Sequence, residues 1–192
     1  MRYERGRKDT SRTRIVEAAA QRFRNDGIAA SGLAAIMGDA GLTNGAFYPH
    51  FPSKAALVRE CVETALDAQS RKMGETLAEG GPKAAIEAYL SPEHRDSPGT
   101  GCASAALLPE LARQAPETRE VFTEHIMVQV RQLSAALAET KDPESVALGV
   151  IATMIGALQL ARAVEGPDLS DRILAAGADA ARALIGQRSQ RI

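Results

Sequence analysis

A short segment around Gly41 constrains the fold of this chain more than any other feature of its sequence. Ile36 and Met37 precede the glycine and Phe47 follows it, so apolar side chains stand on both sides. Glycine readily adopts the left-handed backbone conformation of a tight turn, and Leu42 can fill the space between the flanking segments. The spacing therefore predicts two short helices packed across a turn, the helix-turn-helix arrangement.

The flanking residues predict where the helices of this unit begin. Ser11 can cap a first helix whose apolar positions recur every four residues, and Ser31 can cap a second at 33–39. Thr43 can cap a third, which should be short because Pro49 lacks the N–H group that a helix needs at that position. Three helices are therefore expected before residue 53, and Ser53 can begin a fourth.

The third predicted helix has an apolar face and a remaining surface. Phe47 and Phe51 are four residues apart and share one face, so we expect both rings in the core. The positions left for other directions are Asn44, Ala46, Tyr48 and His50.

The rest of the chain also favours helices. Only 4% of residues are aromatic, and the 45% hydrophobic content suits helix-on-helix packing. Asp142 and Pro143 form a helix start, and Pro109 should kink a helix that it interrupts. We predict an all-α chain of about nine helices, with later helices near 54–72, 83–90, 103–115, 116–140, 143–165 and 170–187.

One segment, 146–161, is apolar enough to raise the question of a membrane helix. It has about sixteen residues, whereas a spanning helix needs about twenty. A helix that is apolar on nearly all sides is better explained by its own domain on one side and a second subunit on the other. We therefore expect a dimerisation helix here.

The net charge of −1 conceals a basic end. Residues 1–60 hold ten Lys and Arg against six Asp and Glu, whereas the rest of the chain is acidic. Such a basic end suits a polyanion such as DNA. Eight of the ten basic residues lie in the first 24 positions: Arg2, Arg5, Arg7, Lys8, Arg12, Arg14, Arg22 and Arg24.

Several functional classes lack their expected sequence features. Cys61 and Cys102 are far apart and belong to no Cys/His cluster, so we expect reduced thiols and no metal or other cofactor. No nucleophile–base–acid set or glycine-rich phosphate loop occurs, so an enzyme is not expected. The first residues lack the apolar run of a signal peptide, and we expect a cytoplasmic protein.

The first sixty residues also resemble the DNA-binding signature of the TetR/AcrR family of regulators, closely over residues 11–60. The positions that carry this resemblance are Gly27, Ser31, Ile36, 40–43, 45–48, 50–51, 53–54 and Leu57.

The resemblance implies a domain layout and a partner. Residues 1–10 would be a basic, flexible arm and 11–53 the helix-turn-helix domain, while 54–192 would hold the linker helix and a larger effector-binding and dimerisation domain. The last two helices, near 143–165 and 170–187, would form the homodimer.

The same resemblance implies which residues contact the DNA operator. Pro49 departs from the family pattern, which puts the end of the third helix in question. Thr43, Asn44 and Ala46 would face base edges, Tyr48 and His50 would face phosphates or nearby bases, and Ser31 and Lys54 would contact phosphates.

The sequence says less about the effector or signal to which such a regulator would respond. Cys102 begins a predicted helix after a loop that holds His94 and Arg95, and helix N-termini and cations make a thiol reactive. A small buried side chain is the alternative for Cys102, and His125 is a second candidate for effector contact. Three functions stay open: a repressor released by a small molecule, a thiol-based sensor of electrophiles or oxidants that uses Cys102, and a helical binding protein or enzyme without a DNA role.

Overall fold

Helices make up this computed structural model, which describes residues 2–186, with side chains described from residue 10. No strand occurs within 2–186, and the prediction of an all-α fold is confirmed. The elements are α1 (Arg2–Asp26), α2 (Leu33–Asp39), a 3₁₀ turn (Asn44–Ala46), α3 (Lys54–Tyr89), α4 (Pro92–Arg95), α5 (Ala103–Leu111), α6 (Pro116–Ala135), α7 (Pro143–Ala163) and α8 (Pro167–Gly186).

The first helix begins earlier than predicted. It starts at Arg2 rather than at Ser11, so residues 2–10, expected as a flexible arm, continue the helix. Arg, Lys and Glu are good helix formers, and the chain contains no proline before Pro49. Nothing in this stretch therefore interrupts a helix that the apolar face of α1 stabilises further along.

The third predicted helix is only a 3₁₀ turn. Its bonds run over three residues, from the N–H of Ala46 to the carbonyl of Thr43 and from Phe47 to Asn44. Thr43 takes the cap position without a capping side-chain bond, and Pro49 has no N–H to continue the ladder. The prediction that this element is short is correct, and its helical form is wrong.

The fourth and fifth predicted helices are one interrupted helix, α3. Ser53 caps it as predicted, its Oγ accepting the N–H of Ala56 at 3.1 Å. The break falls at Gly81, whose φ of 69° only glycine adopts readily, and Pro82 restarts the helix. Within 2–186 the chain thus has eight α-helices where about nine were predicted.

The last two helices pack against each other, α7 also against α6 and α8 also against α3. Asp142 caps α7 through the N–H of Ser145, as predicted, and α8 begins at Pro167 rather than Ser170. The predicted end at Gln187 lies outside the described residues. By length and composition α7 is the one described helix that could cross a membrane, although its inner face lines the core.

The hydrophobic core of the N-terminal helices extends beyond residue 53. Phe23, Ile36 and Phe47 of the N-terminal elements pack in the same buried cluster as Leu107 and Leu111 of α5. The apolar core therefore runs across the predicted domain boundary between 53 and 54. A second cluster fills the space between the end of α3 and helices α6, α7 and α8.

Two polar connections reinforce this shared core. The carboxylate of Glu110 on α5 accepts the backbone N–H groups of Ile28 and Ala29 at 3.0 and 2.9 Å, just after α1 ends. The Nε of Arg24 donates to the carbonyl of Gly99 at 2.6 Å. Together they hold the end of α1 to the second half of the chain.

We predict that Glu110→Gln lowers the free energy of unfolding by about 1–2 kcal/mol, because the amide offers one acceptor where the carboxylate offers two charged ones. The amides of Ile28 and Ala29 should exchange faster with deuterium, which mass spectrometry measures. The matched control is Glu120→Gln, at an exposed carboxylate on α6. Equal protection of both amides in the two variants would contradict the assignment.

Candidate functional site

The surface predicted to meet DNA lies on the turn after α2. Thr43, Asn44 and Tyr48 are exposed, Tyr48 by 70%, while Ala46 and His50 are half-buried. The structure therefore brings all five predicted residues of this turn onto one short segment.

A pair of buried rings supports this surface. Phe47 and Phe51 are fully buried, as predicted, and stack with their centroids 5.7 Å apart. The ring of Tyr48 meets Phe47 edge-on at 5.3 Å, so the exposed ring rests on a buried one. Gly41 makes the preceding turn with a φ of 65°, and a Cβ there would collide with the Arg14 guanidinium.

Arg12 holds the end of the turn in place. Its guanidinium donates to the carbonyl of His50 and to the carboxylate of Glu60 on α3, and it lies 4.3 Å from the centroid of the Phe51 ring. The count of basic residues placed Arg12 in a general positive patch. The structure shows a brace between α1, the turn and α3.

The two residues predicted to contact phosphates are bonded inside the protein. Ser31 is fully buried and donates its hydroxyl to the carbonyl of Gly27 at 2.6 Å, and Gly32 takes the cap position of α2. The prediction that Ser31 caps this helix is therefore wrong. Lys54 donates from Nζ to the carbonyl of Ile28 at 2.6 Å, which leaves two of its three N–H groups for other partners.

Other basic side chains of the first 24 residues also stabilise the fold. Arg22 bonds to Asp26 and, across to α2, to Asp39 at 2.7 Å. This hydrogen bond holds the pKa of Asp39 below its ordinary value. Part of the positive charge counted in the sequence is thus neutralised locally, while Arg14 stays exposed.

A cavity of about 590 Å³ lies between α1, α3 and the segment from Ser91 to Cys102. The expected effector site was inside the second domain. Here one wall belongs to α1, in the predicted DNA-binding domain, through Val16, Ala20 and Arg24. The volume is that of a site for a small organic molecule.

Cys102 lines this cavity but is only 3% exposed. It caps α5, its Sγ accepting the N–H of Ala105 at 3.4 Å. His94 lies against it, with Nε2 accepting the Cys102 N–H at 2.9 Å and Nδ1 donating to the carbonyl of Tyr89 at 2.6 Å. These two bonds require the neutral imidazole, and burial correspondingly lowers the pKa of His94.

His94 and Arg95, the cations expected beside Cys102, do not bring positive charge to its thiol. Arg95 bonds to Asp96, Asp171 and Ser170, away from the thiol, and the neutral His94 brings no charge. Arg162 of α7 lies nearer and donates to the carbonyls of His94 and Arg95. The charge near this thiol therefore comes from a helix distant in sequence.

The remaining candidates lie outside the cavity. His125 on α6 stands 3.4 Å from the carboxylate of Asp67 on α3 and does not line the cavity. Cys61 is buried in the N-terminal core, and burial raises its pKa to about 12.

Sequence reasoning missed three residues that organise this region: Arg12, Arg24 and Glu110. Arg12 and Arg24 were counted as charge, and Glu110 lies on a helix with no motif. The partners of these side chains are 38, 75 and about 82 residues away along the chain. No local pattern reports contacts at such separations.

The chain is similar to known regulators in sequence and in fold. Residues 15–61 match the sequence model of the bacterial regulatory proteins of the tetR family. The HTH-type transcriptional repressor KstR2 of Rhodococcus jostii (strain RHA1) is 26% identical over 133 residues, which are 69% of this chain and 65% of that repressor. The chain thus spans less than two thirds of this relative's length.

Two solved structures share the fold. A TetR-family transcriptional regulator of Cytophaga hutchinsonii superposes with a TM-score of 0.78 at 21% identity, over 97% of this chain and 98% of that one. The reduced form of E. coli NemR superposes with a TM-score of 0.73, also at 21% identity, over 88% of this chain and 95% of that one.

The buried neutral His94 generates a prediction about acid stability. Its folded pKa lies below the ordinary value of 6.5, so the unfolded chain takes up the proton first as the pH falls. The free energy of unfolding should therefore decrease as the pH falls below 6.5. Urea denaturation measures the free energy of unfolding at pH 7.5 and at pH 5.5. The loss between the two pH values should be smaller in His94→Gln than in the wild type. An unchanged difference would show that His94 protonates freely in the folded chain.

Proposed function

Because this chain belongs to the TetR family of bacterial transcriptional regulators, we propose that it is a repressor that a small molecule releases from its DNA operator. The observation that carries the proposal is the turn at 43–50, with exposed polar side chains on a buried phenylalanine pair. A supported, protruding segment of this kind suits entry into a major groove.

Within this proposal the residues of the turn divide by exposure. Thr43 and Asn44 are exposed and short, so they are suited to base edges, and an Asn amide can bond adenine at two positions. Tyr48 can place its hydroxyl on a phosphate. Ala46 and His50 would make closer, partial contacts because each is half-buried.

The internal hydrogen bonds of Ser31 and Lys54 limit which of their groups could contact a phosphate. The Ser31 hydroxyl is engaged with Gly27, so only backbone N–H groups at the start of α2 could meet a phosphate there. Lys54 would contact a phosphate with the N–H groups that Ile28 leaves unused.

We propose that the protein acts as a homodimer through α7 and α8. Leu148, Ala152, Gly156 and Leu160 follow one another at four-residue spacing on α7, and the two leucines are 45% and 60% exposed. A row of exposed apolar side chains on one helix face is typical of a helix–helix interface. Two such subunits would present their turns about 34 Å apart, one helical turn of DNA.

Release would follow from the position of the cavity between the two halves of the chain. A ligand shifts the balance only if it binds the DNA-incompetent arrangement more tightly. Because α1 forms one wall of the cavity, a ligand that fits best when α1 has moved would act on the DNA-binding domain directly.

A thiol sensor that uses Cys102 is the second candidate. Cys102 lines the same cavity, and the similar NemR structure is described in a reduced form. Its burial means that modification would disturb the cap of α5. Complete alkylation of Cys102 that leaves operator affinity unchanged would exclude this candidate.

The match of residues 15–61 to the tetR family model supports a DNA-binding regulator, and we propose that it works in the cytoplasm without catalytic activity. A helical binding protein or enzyme without a DNA role is the minor alternative. It would be favoured if the protein bound mixed duplex DNA at low salt no more tightly than the double variant Asn44→Ala/Lys54→Gln.

Asn44→Ala should lower affinity for the operator about 10- to 100-fold, because it removes a bidentate base contact. The operator duplex is selected from a random-sequence pool, and affinity is measured by fluorescence anisotropy. Affinity for unselected DNA should change little. A variant with full operator affinity would show that Asn44 does not read bases.

Lys54→Gln should reduce the slope of log affinity against log salt by about one, because one phosphate contact is lost. Glutamine can still donate to the Ile28 carbonyl, so the local fold is preserved. The control is Lys141→Gln, in the exposed loop before α7. Equal slopes for both variants would assign Lys54 a structural role alone.

Leu160→Glu should convert the dimer to a monomer and abolish tight operator binding, because it puts a charge into the proposed apolar interface. Light scattering coupled to size-exclusion chromatography measures the mass. Leu160→Met, which keeps an apolar side chain, is the control. A dimeric Leu160→Glu protein would move the interface elsewhere.

A further inference from the structure

We propose that the cavity binds a small organic anion, an apolar body that ends in a carboxylate, and that Arg24 of the DNA-binding domain pairs with this carboxylate. The inference rests on the proposed function, because it names the ligand class of the same effector cavity. It adds that the ligand's charged end is held by α1 itself.

The first observation is a half-buried guanidinium without a counter-charge. Arg24 lines the cavity and uses only its Nε, which donates to the Gly99 carbonyl at 2.6 Å. Among the residues that the structure describes, no carboxylate lies within 4.0 Å of it, and its two terminal nitrogens have no hydrogen-bond partner. Buried charges in proteins are as a rule paired, so this cation lacks the partner that a bound anion would supply.

The pKa of Arg24 also indicates a buried cation without a negatively charged partner. The pKa of Arg24 is lowered by burial, whereas the pKa of Arg22 is raised by its hydrogen bond to Asp39. A ligand carboxylate would give Arg24 the negatively charged hydrogen-bond partner that Asp39 gives Arg22. A planar guanidinium with two open nitrogens matches the two oxygens of a carboxylate.

The second observation is a buried hydroxyl in the same cavity. Tyr89 is 9% exposed, and its hydroxyl has no hydrogen-bond partner in the described part of the chain, although it lies beside the Cys102 thiol. An enclosed hydroxyl of this kind costs free energy unless it is bonded. A ligand oxygen could satisfy it.

The remaining walls define the body of the ligand. Lys72 also lines the cavity and has no carboxylate within 4.0 Å among the described residues; it is exposed, as are the lining carboxylates of Glu17 and Glu93. Val16, Ala20 and Met73 supply apolar surface. Because water screens the exposed charges, the half-buried Arg24 sets the preference for an anionic end, and the apolar walls suit an apolar body.

Pairing with a ligand would add a contact between the two halves of the chain. The Nε of Arg24 can stay on the carbonyl of Gly99, in the loop before α5, while the two terminal nitrogens hold the carboxylate. The body of the ligand would lie against α3 and the segment from Ser91 to Cys102, which form the other walls of the cavity. The ligand would thus connect α1 to the second half of the chain and influence where α1 lies.

The test compares acids with their uncharged analogues on the full chain. Octanoate, 4-phenylbutyrate and 2-naphthoate, and the primary amide of each, are titrated by isothermal calorimetry. We expect at least one acid to bind ten times more tightly than its amide. If no acid binds, or if every amide binds as well as its acid, the proposal is wrong.

Variants assign the preference to Arg24. Arg24→Gln should reduce the acid-to-amide ratio to near one, whereas Arg22→Gln, on the same helix but paired outside the cavity, should leave it unchanged. A ratio that survives Arg24→Gln would overturn the proposal. If this variant does not fold, Arg24→Lys should keep the preference and Lys72→Gln should lower it several-fold, with Arg71→Gln as the control for Lys72. A preference that is unchanged in Lys72→Gln and lost in Arg71→Gln would equally refute it.

Operator binding by the unliganded wild type is measured on the same samples. Absence of operator binding would count against the proposed repressor function and leave the acid preference standing. Operator binding without any acid preference would count against the anion site alone.

Discussion

The packing of α5 into the core of the N-terminal helices is the constraint on which the rest of the structure depends. Leu107 and Leu111 occupy a buried cluster with Phe23 and Phe47, so the N-terminal helices complete their core only with a segment more than fifty residues away. Glu110 lies on the same helix and bonds the chain after α1. The N-terminal helices are therefore joined to the second half of the chain by their own core.

The charge of the N-terminal region serves two purposes. Arg12, Arg22 and Arg24 bond to groups on other elements and thereby set the positions of the turn, α2 and the loop before α5. Exposed polar groups such as Asn44 are left for the proposed contact with DNA. A count of basic residues overstates the field that DNA would meet, because hydrogen bonds and ion pairs neutralise part of it within the fold.

The cavity between α1, α3 and the segment from Ser91 to Cys102 brings together a thiol, an imidazole and a guanidinium. Cys102 and His94 form a hydrogen-bonded unit at the start of α5, and Arg24 enters the cavity from α1. A reversible ligand and a modified thiol would both act at this place, since each would disturb the contacts between α5 and α1. The two candidate mechanisms differ in chemistry, but both would act through the contacts between α5 and α1.

The sequence by itself determined the all-helical class, the turn at Gly41, the caps at Ser53 and Asp142, and the burial of Phe47 and Phe51, because these depend on propensity and spacing within a few residues. Three predictions from local sequence were wrong. They concern the start of α1, the form of the element before Pro49, which is a 3₁₀ turn, and the role of Ser31, whose hydroxyl is buried. Only the tertiary structure decided that Arg24 and Cys102 share a cavity and that Glu110 bonds Ile28. Such contacts depend on how helices pack in three dimensions, and no short stretch of sequence encodes them.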